Sequence, residues 1–307
     1  MNISTIFFDR TTTLRSGWRF AIFSLAFIFA VTRVGAVVFG AMTAFGFPPR
    51  LFSLATLFVN STVWLSLSLL FGWVCGKYLE NLPFRALGAW FTRLWLSHFA
   101  MGCLIGAITV GVAIMTAVAF GGLRFGANAA DSSAIVITAL VSLAIFAVAA
   151  AFEEALFRGY ILQTFARSGL AAFAIAMTSI FFGAVHLGNP NAGYISTANT
   201  MLAGVWFGVA YLKTRDLWFV WGLHLVWNWM QGSIFGIEVS GLTEITTAPV
   251  LTEIDSGPVW LTGGDYGIEG GIACTIALVI STLAVQFLPL VKPDEEMLAL
   301  TSPRAVL

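Results

Sequence analysis

Long apolar segments alternate with short polar ones along the whole chain. Eight apolar runs have roughly the 17–25 residues that a helix needs to cross a bilayer. Their approximate bounds are 20–45, 51–76, 96–120, 134–165, 170–187, 195–212, 217–235 and 270–291. The fourth run is long enough to tilt or to protrude. This pattern predicts an all-α fold, a polytopic membrane helical bundle of about eight transmembrane helices in a single membrane domain over residues 1–307.

The positions of Lys and Arg predict the orientation of this bundle. Cytoplasmic segments of membrane proteins are enriched in both residues. If the amino terminus is cytoplasmic, twelve of the fifteen basic residues fall on the inner side, namely Arg10, Arg15, Arg19, Lys77, Arg85, Arg93, Arg158, Arg167, Lys213, Arg215, Lys292 and Arg304. We therefore expect both termini to be cytoplasmic.

The segment of residues 237–269, which we call the acidic loop, belongs on the opposite side. It contains no Lys or Arg but six acidic residues: Glu238, Glu244, Glu253, Asp255, Asp265 and Glu269. We expect this extracytoplasmic loop to be simply solvated, and the alternative is a role in substrate gating.

Composition agrees with a membrane protein and excludes other classes. Hydrophobic residues make up 59% of the chain and charged residues only 10%, whereas soluble domains average about 25% charged residues. The formal net charge is zero, which gives a nucleic acid no electrostatic attraction. The expected surroundings are a lipid bilayer, with no nucleic-acid partner.

Two adjacent carboxylates, Glu153 and Glu154, lie within the fourth apolar run. Ionisable residues inside a membrane span are costly and mark functional sites by default. Arg158 follows Glu154 by four residues, so these two share a helix face, while Glu153 lies about 100° around the helix. We predict a structural Glu154–Arg158 pair and a chemically available Glu153. The alternative is a polar group that only joins helices.

The three histidines have different sequence surroundings. His98 begins the third apolar run near aromatic and basic residues, and we expect it at the membrane interface. His186 closes the sequence Phe182-Gly-Ala-Val-His186. His224 and Asn228 are separated by four residues and so share a helix face. Together with the Glu-Glu-x-x-x-Arg segment, the last two histidines and Asn228 form an acid/base set spread over three predicted spans.

Helix rise tests whether these groups can meet. At 1.5 Å per residue, Glu153 and Asn228 lie at similar depths, ~21 Å and ~20 Å from the predicted inner face. On the same scale His224 lies at ~14 Å and His186 at ~28 Å. A tilted or bent fifth helix is therefore needed to bring the two histidines together.

This set of residues supports two kinds of hydrolysis. A carboxylate and an imidazole can activate a water, while a second imidazole and an amide stabilise the oxyanion. Alternatively, Glu153, His186 and His224 could hold a zinc ion with an open position for water. The HExxH arrangement of many zinc proteases is absent. The cofactor is therefore either none or Zn²⁺, and the residues leave that choice open.

The ordered motifs Glu153-Glu154-x-x-x-Arg158, Phe182-x-x-x-His186 and His224-x-x-x-Asn228 resemble the CPBP family of intramembrane proteases. This family includes the type II CAAX prenyl endopeptidases and bacterial relatives linked to bacteriocin processing and self-immunity. The Gly-rich segment 202–218 is also similar to the family's. The resemblance covers about residues 134–232, the expected catalytic core.

The resemblance implies a role for each motif residue. Glu153 and His186 would activate water, His224 and Asn228 would stabilise the oxyanion, and Glu154 with Arg158 would orient the site. The expected protein is a multi-pass hydrolase of a bacterial cytoplasmic membrane that cleaves a membrane-associated peptide or protein. The family is customarily called metalloproteases, but a metal-free mechanism uses every motif residue once. The other function class is a non-proteolytic membrane protein, an immunity factor, scaffold or carrier.

Overall fold

The computed structural model describes residues 4–9, 13–46 and 49–303. The described chain is an all-α polytopic bundle with one small sheet. Its helices are α1 (Ser4–Phe7), α2 (Ser16–Ala44), α3 (Pro49–Glu80), α4 (Trp95–Ala119), α5 (Ser132–Glu154), α6 (Gln163–Ala166), α7 (Ala171–Val185), α8 (Tyr194–Thr214), α9 (Leu217–Trp229), α10 (Val259–Thr262), α11 (Ile272–Phe287) and α12 (Glu295–Thr301). Two strands, β1 (Leu123–Ala127) and β2 (Leu251–Asp255), complete it.

Within these described ranges, six helices are long and apolar enough to cross a membrane: Ser16–Ala44, Ser53–Glu80, Trp95–Ala119, Ser132–Ala166, Ala171–Gly188 and Tyr194–Thr214. They correspond to the first six predicted spans, and they show an integral, multi-pass membrane protein. The last two predicted spans are shorter helices, α9 with a π-helical extension and the 16-residue α11. The count of eight and the cytoplasmic termini stay predictions. Arg10 and Arg304, used for that orientation, lie outside the described residues.

The helices α2 and α3 have the exposed apolar surface that lipid requires. Leu25, Val37 and Phe39 on α2 are each more than half exposed, and few residues of either helix are buried. Buried ion pairs attach these two helices to the rest of the bundle: Glu80, at the end of α3, pairs with Arg19 of α2 and with Arg167, which follows α6. Their remaining surface is therefore available to the bilayer.

The main core lies among α4, α8, α9 and α11, where Trp206, Tyr211 and Leu223 are completely buried. Glycines bring α4 and α9 into backbone contact. A Cβ atom on Gly102 would lie 2.1 Å from the carbonyl oxygen of Phe219, and one on Gly222 would lie 2.5 Å from that of Phe99. Close approach through small residues is typical of membrane helices. It fixes the position of α9, which carries His224 and Asn228.

Acidic side chains cap the amino-terminal ends of two of the helices that carry the site. Asp131 caps α5 by accepting from the Ala134 N–H at 2.7 Å, and Asp216 caps α9 by accepting from that of Phe219 at 3.2 Å. Asp216 also pairs with His98, whose Nε2 lies 2.9 Å from the Lys292 carbonyl oxygen. His98 is buried in the protein, where it joins the start of α9 to α4, and its position at the membrane interface stays a prediction.

The acidic loop is also more ordered than its composition predicts. Its strand β2 pairs antiparallel with β1, from Leu123 opposite Asp255 to Ala127 opposite Leu251. Ile237 and Val239 are buried, and the Gln231 side chain donates to the Glu238 carbonyl at 2.5 Å. The expectation of a mostly solvated loop is wrong for these parts. Its apolar residues, which alternate with the acids, pack against the ends of the helices.

Candidate active site

The helix that carries the two glutamates changes geometry directly after them. α5 ends at Glu154, and residues Ala155–Leu162 continue it as a π-helix. π-Helical turns are rare and occur frequently at functional sites. Arg158 lies within this segment, with its guanidinium Nη1 3.1 Å from Glu154 Oε1. The predicted Glu154–Arg158 contact is therefore present in the structure.

Glu154 and Arg158 connect three helices while both are buried completely. The Oε1 atom of Glu154 also accepts the Nδ1–H of His224 at 2.9 Å. Arg158 Nη2 donates to the Gly204 carbonyl of α8 at 3.0 Å. The Glu154 carboxylate thus aligns α5 with α9, and Arg158 anchors both to α8.

Aromatic rings enclose the guanidinium and the imidazole. The Arg158 guanidinium carbon lies 4.9 Å from the ring centre of Phe182 and 5.1 Å from that of Phe207. Phe207 stacks on His224 with ring centres 4.7 Å apart and an angle of 22° between the planes. Ring faces attract cations, so these side chains favour positive charge on both groups and restrict their rotation.

Glu153 has surroundings different from those of its neighbour. Its side chain is 24% exposed, and Oε2 lies 3.8 Å from His224 Nε2, beyond hydrogen-bonding distance. That oxygen has no hydrogen-bond partner among the described residues. Glu153 is therefore the more accessible of the two glutamates. Glu154 is bonded through Oε1 to Arg158 and His224 and is completely buried, and its Oε2 also lacks a hydrogen-bond partner among the described residues.

His186 lies where its helix ends. α7 stops at Val185, and His186 begins a short 3₁₀ turn to Gly188. Its Nδ1 lies 2.7 Å from the Phe182 carbonyl oxygen, which can only accept, so Nδ1 carries the proton. The neutral ring then has Nε2 as an unprotonated acceptor. His186 and His224 both line one cavity, although helix rise alone places them at different depths.

A cavity of about 480 Å³ brings these elements together. Four of the six predicted site residues line it: Glu153, His186, His224 and Asn228. Glu154 and Arg158 lie behind this surface and hold it. The structure thus gathers the predicted set around a single space.

Sequence reasoning missed Glu269, which also lines the cavity. Its Oε1 accepts from Trp227 Nε1 at 3.2 Å, and its Oε2 accepts from the backbone N–H and the hydroxyl of Ser240, both at 2.7 Å. Burial raises the pKa of the Glu269 carboxyl, and the Ser240 donors and His186 oppose that rise. The only signal in the sequence was an acid immediately before the last apolar run.

Another group of acidic residues in the loop, centred on Glu253, lies away from the cavity. Glu253 on β2 is half-buried and close to Glu238 and Asp255. Burial, together with these two negative charges, raises the pKa of Glu253 to about 8.

The residues do not form a resident zinc site as they are placed. A zinc ion would take Glu153, His186 and His224. Among the described residues, however, no three His, Cys, Asp or Glu side chains form a group that could hold a metal. Both histidines would have to bind a metal through Nε2, because their Nδ1 atoms are hydrogen-bonded to a carbonyl and to Glu154. The chemistry is therefore derived below from the protein side chains alone.

Comparison with known proteins supports the interpretation of this site. Residues 135–230 match a family described as type II CAAX prenyl endopeptidase Rce1-like. The resemblance to this protease family is confirmed. The matched segment includes Glu153, Glu154, Arg158, His186, His224 and Asn228, but not the acidic loop. No curated protein and no solved structure matches the chain.

Proposed function

We propose that the protein is an intramembrane endopeptidase that hydrolyses a peptide bond of a membrane-associated protein or peptide. The observation that carries this proposal is the Glu154 carboxylate, which is bonded to both Arg158 and His224 beside a Glu153 oxygen that lacks a partner. A structural polar cluster would use its acceptors on neighbouring helices. Two carboxylate oxygens, Oε2 of Glu153 and Oε2 of Glu154, have no hydrogen-bond partner among the described residues. Of these two side chains only Glu153 lines the cavity, where His186 Nε2 is also left for a reactant.

Glu153 and His186 activate the attacking water in this proposal. Both Glu153 Oε2 and His186 Nε2 are acceptors, and a water can donate one hydrogen bond to each. As the water oxygen attacks the scissile carbonyl carbon, its proton passes to one of these bases. The proton then goes to the nitrogen of the breaking C–N bond, and the products are a carboxylate and an amine.

His224 and Asn228 stabilise the oxyanion that forms. Since His224 Nδ1 bonds to Glu154, Nε2 can donate only when the ring is an imidazolium. The neighbouring carboxylates of Glu153 and Glu154 are the counter-charges of that imidazolium. With Arg158 also positive, these four groups carry no net charge together, which makes their burial less costly. The Asn228 amide supplies a second donor.

The expected environment is a bacterial cytoplasmic membrane, with both termini in the cytoplasm and the catalytic core within residues 134–232. The substrate is a membrane-associated peptide or protein, because the cavity is set among membrane helices. Nothing in this mechanism requires a prenyl group on the substrate.

The test uses full-length purified protein in lipid vesicles with a library of membrane-anchored peptides, and mass spectrometry of the products. Wild type is expected to cut a defined bond, and Glu153→Gln is expected to be inactive. Glu244→Gln, which changes an exposed residue of the acidic loop, is the matched control and should retain activity. If folded wild type cuts none of the peptides, the non-proteolytic class of function replaces this proposal.

A further inference from the structure

Two parts of the cavity wall differ in chemistry. The part formed by α2 and α3 is apolar and aromatic, with Phe27, Val31, Leu57 and Trp64. Another part, formed by α8 and the acidic loop, carries the polar side chains Asn199, Thr200, Ser240 and Glu269 among apolar neighbours such as Val239. A peptide held between them at Glu153 therefore meets unlike surroundings on its two sides.

Glu269 is a rigid part of the polar wall. Three donors, one from Trp227 and two from Ser240, point at its carboxylate oxygens. The Asn199 side chain fixes its backbone by donating to its carbonyl at 2.8 Å. A carboxylate accepts about four hydrogen bonds, so one acceptor position on Oε1 is left. Burial raises the pKa of the Glu269 carboxyl, and these donors oppose that rise by favouring the ionised form.

Glu269 has no counter-charge from Lys or Arg. Across residues 4–9, 13–46 and 49–303, no Lys or Arg lies within ion-pairing distance of it, and the acidic loop contains neither residue. Ionised groups inside membrane proteins are costly and are normally paired. His186, which lines the same cavity, also acts on the Glu269 carboxyl, but among the described residues it forms no ion pair with it. The open acceptor position of this fixed carboxylate therefore points to a cation that binds from outside the chain.

We propose that Glu269 forms a subsite for a basic side chain, Lys or Arg, of the substrate. The inference rests on the proposed endopeptidase function and extends it to specificity. The substrate has apolar residues on the side of the scissile bond that faces α2 and α3, and one basic residue on the side that faces the acidic loop. A hydrogen-bonded ion pair at this place selects for Lys over an uncharged residue by roughly 10- to 100-fold.

The experiment compares membrane-anchored peptides that carry Lys, acetyl-lysine or Glu at single positions on either side of the cleaved bond. Full-length protein in vesicles of uncharged lipid is used, so that the bilayer does not attract the basic peptides. At one position, wild type should cleave the Lys peptide with a kcat/KM at least ~10-fold above that of the acetyl-lysine peptide. In Glu269→Gln this ratio should fall to about one.

Asp265→Asn is the control for the general acidity of the loop, because Asp265 is exposed and belongs to the same segment. It should keep the wild-type ratio. A ratio near one at every position in wild type, or an unchanged ratio in Glu269→Gln, overturns the inference while cleavage itself supports the proposed function. Absence of all cleavage contradicts the proposed function instead. Should Glu269→Gln not fold, the Glu peptide decides: if wild type cleaves it at that position as fast as the Lys peptide, the inference is also overturned.

Discussion

Glu153 and Glu154 show how neighbouring residues of the same type can have separate tasks. Glu154 is completely buried and shares one oxygen between Arg158 and His224. Glu153 is partly exposed to the cavity, and its Oε2 has no partner among the described residues. The position of Arg158, four residues after Glu154, decides which carboxylate is paired.

Changing Glu153 to Gln should therefore affect activity, whereas changing Glu154 to Gln should affect stability. Glu153→Gln should retain the wild-type melting temperature and lose about 100-fold or more in activity, since it removes a base. Glu154→Gln should lower stability by about 3 kcal/mol or more, because it leaves the Arg158 charge buried and unpaired. Peptide cleavage measures the activity of each variant, and thermal unfolding in detergent measures its stability. An unfolded Glu153→Gln together with a harmless Glu154→Gln would reverse the assignment.

Removal of metal distinguishes the two water-activating mechanisms. We expect purified, active protein to contain no stoichiometric zinc and to keep its activity through exhaustive chelation, because protein side chains alone supply the base and the oxyanion donors. Elemental analysis and cleavage assays on the same sample are the measurements. Near-stoichiometric zinc, whose removal abolishes turnover and whose return restores it, would contradict the metal-free mechanism.

Glu253 should make stability depend on pH. Its pKa is about 8 in the folded protein, above the ordinary value of 4.5 for a glutamate. Between those values the folded state binds more protons than the unfolded state, so the free energy of unfolding falls as pH rises. The stabilisation is complete below pH 4.5 and is lost by about pH 8. Glu253→Gln should flatten this dependence and raise the melting temperature at pH 8.

Glu244→Gln is the control for that measurement, because Glu244 is exposed in the same loop. Its melting temperature should follow the wild-type curve. Parallel curves for wild type and Glu253→Gln between pH 5 and 8 would show that Glu253 titrates normally.

At the scale of the elements, glycines determine how the catalytic helix α9 packs on α4. Gly102→Ala should cost about 1–3 kcal/mol, since the added methyl group would overlap the Phe219 carbonyl and push the backbones apart. Gly111→Ala is the matched change on the same helix. A Cβ there meets nothing within 4 Å, and alanine favours helix. Thermal unfolding should show a lower melting temperature for Gly102→Ala and a higher one for Gly111→Ala than for wild type. Equal changes in the two variants would contradict this packing argument.

The helices and the motif residues could be predicted from sequence because their signals are local. Apolar runs gave the spans, and the spacing of Glu154 and Arg158 gave their contact. The π-helical segment and the 3₁₀ turn at His186 could not be predicted, since they depend on packing against other helices. The acidic loop escaped prediction for a similar reason: β1 and β2 pair across a long sequence separation, and Glu269 reaches the site only through that folding.

At the scale of the whole molecule, the uneven charge distribution should set the orientation in the membrane. Ser256 lies exposed in the acidic loop, directly after β2, and Glu295 lies exposed at the start of α12. With eight spans and cytoplasmic termini, these two positions face opposite sides. The Lys and Arg residues near the helix ends remain in the cytoplasm during insertion, whereas the loop has none to retain it.

Cysteine labelling of intact cells with a reagent that does not cross membranes measures this orientation. Ser256→Cys should react in intact cells, and Glu295→Cys should react only after permeabilisation. Native Cys75 and Cys274 are buried, so they add little background, and Cys103→Ser in the parent protein removes the third. The β1–β2 pairing places Ser256 close to the carboxyl end of α4, since Asp255 lies opposite Leu123, so its label also reports on that end of α4. If Glu295→Cys reacts in intact cells and Ser256→Cys is protected, the true topology is the reverse of the predicted one.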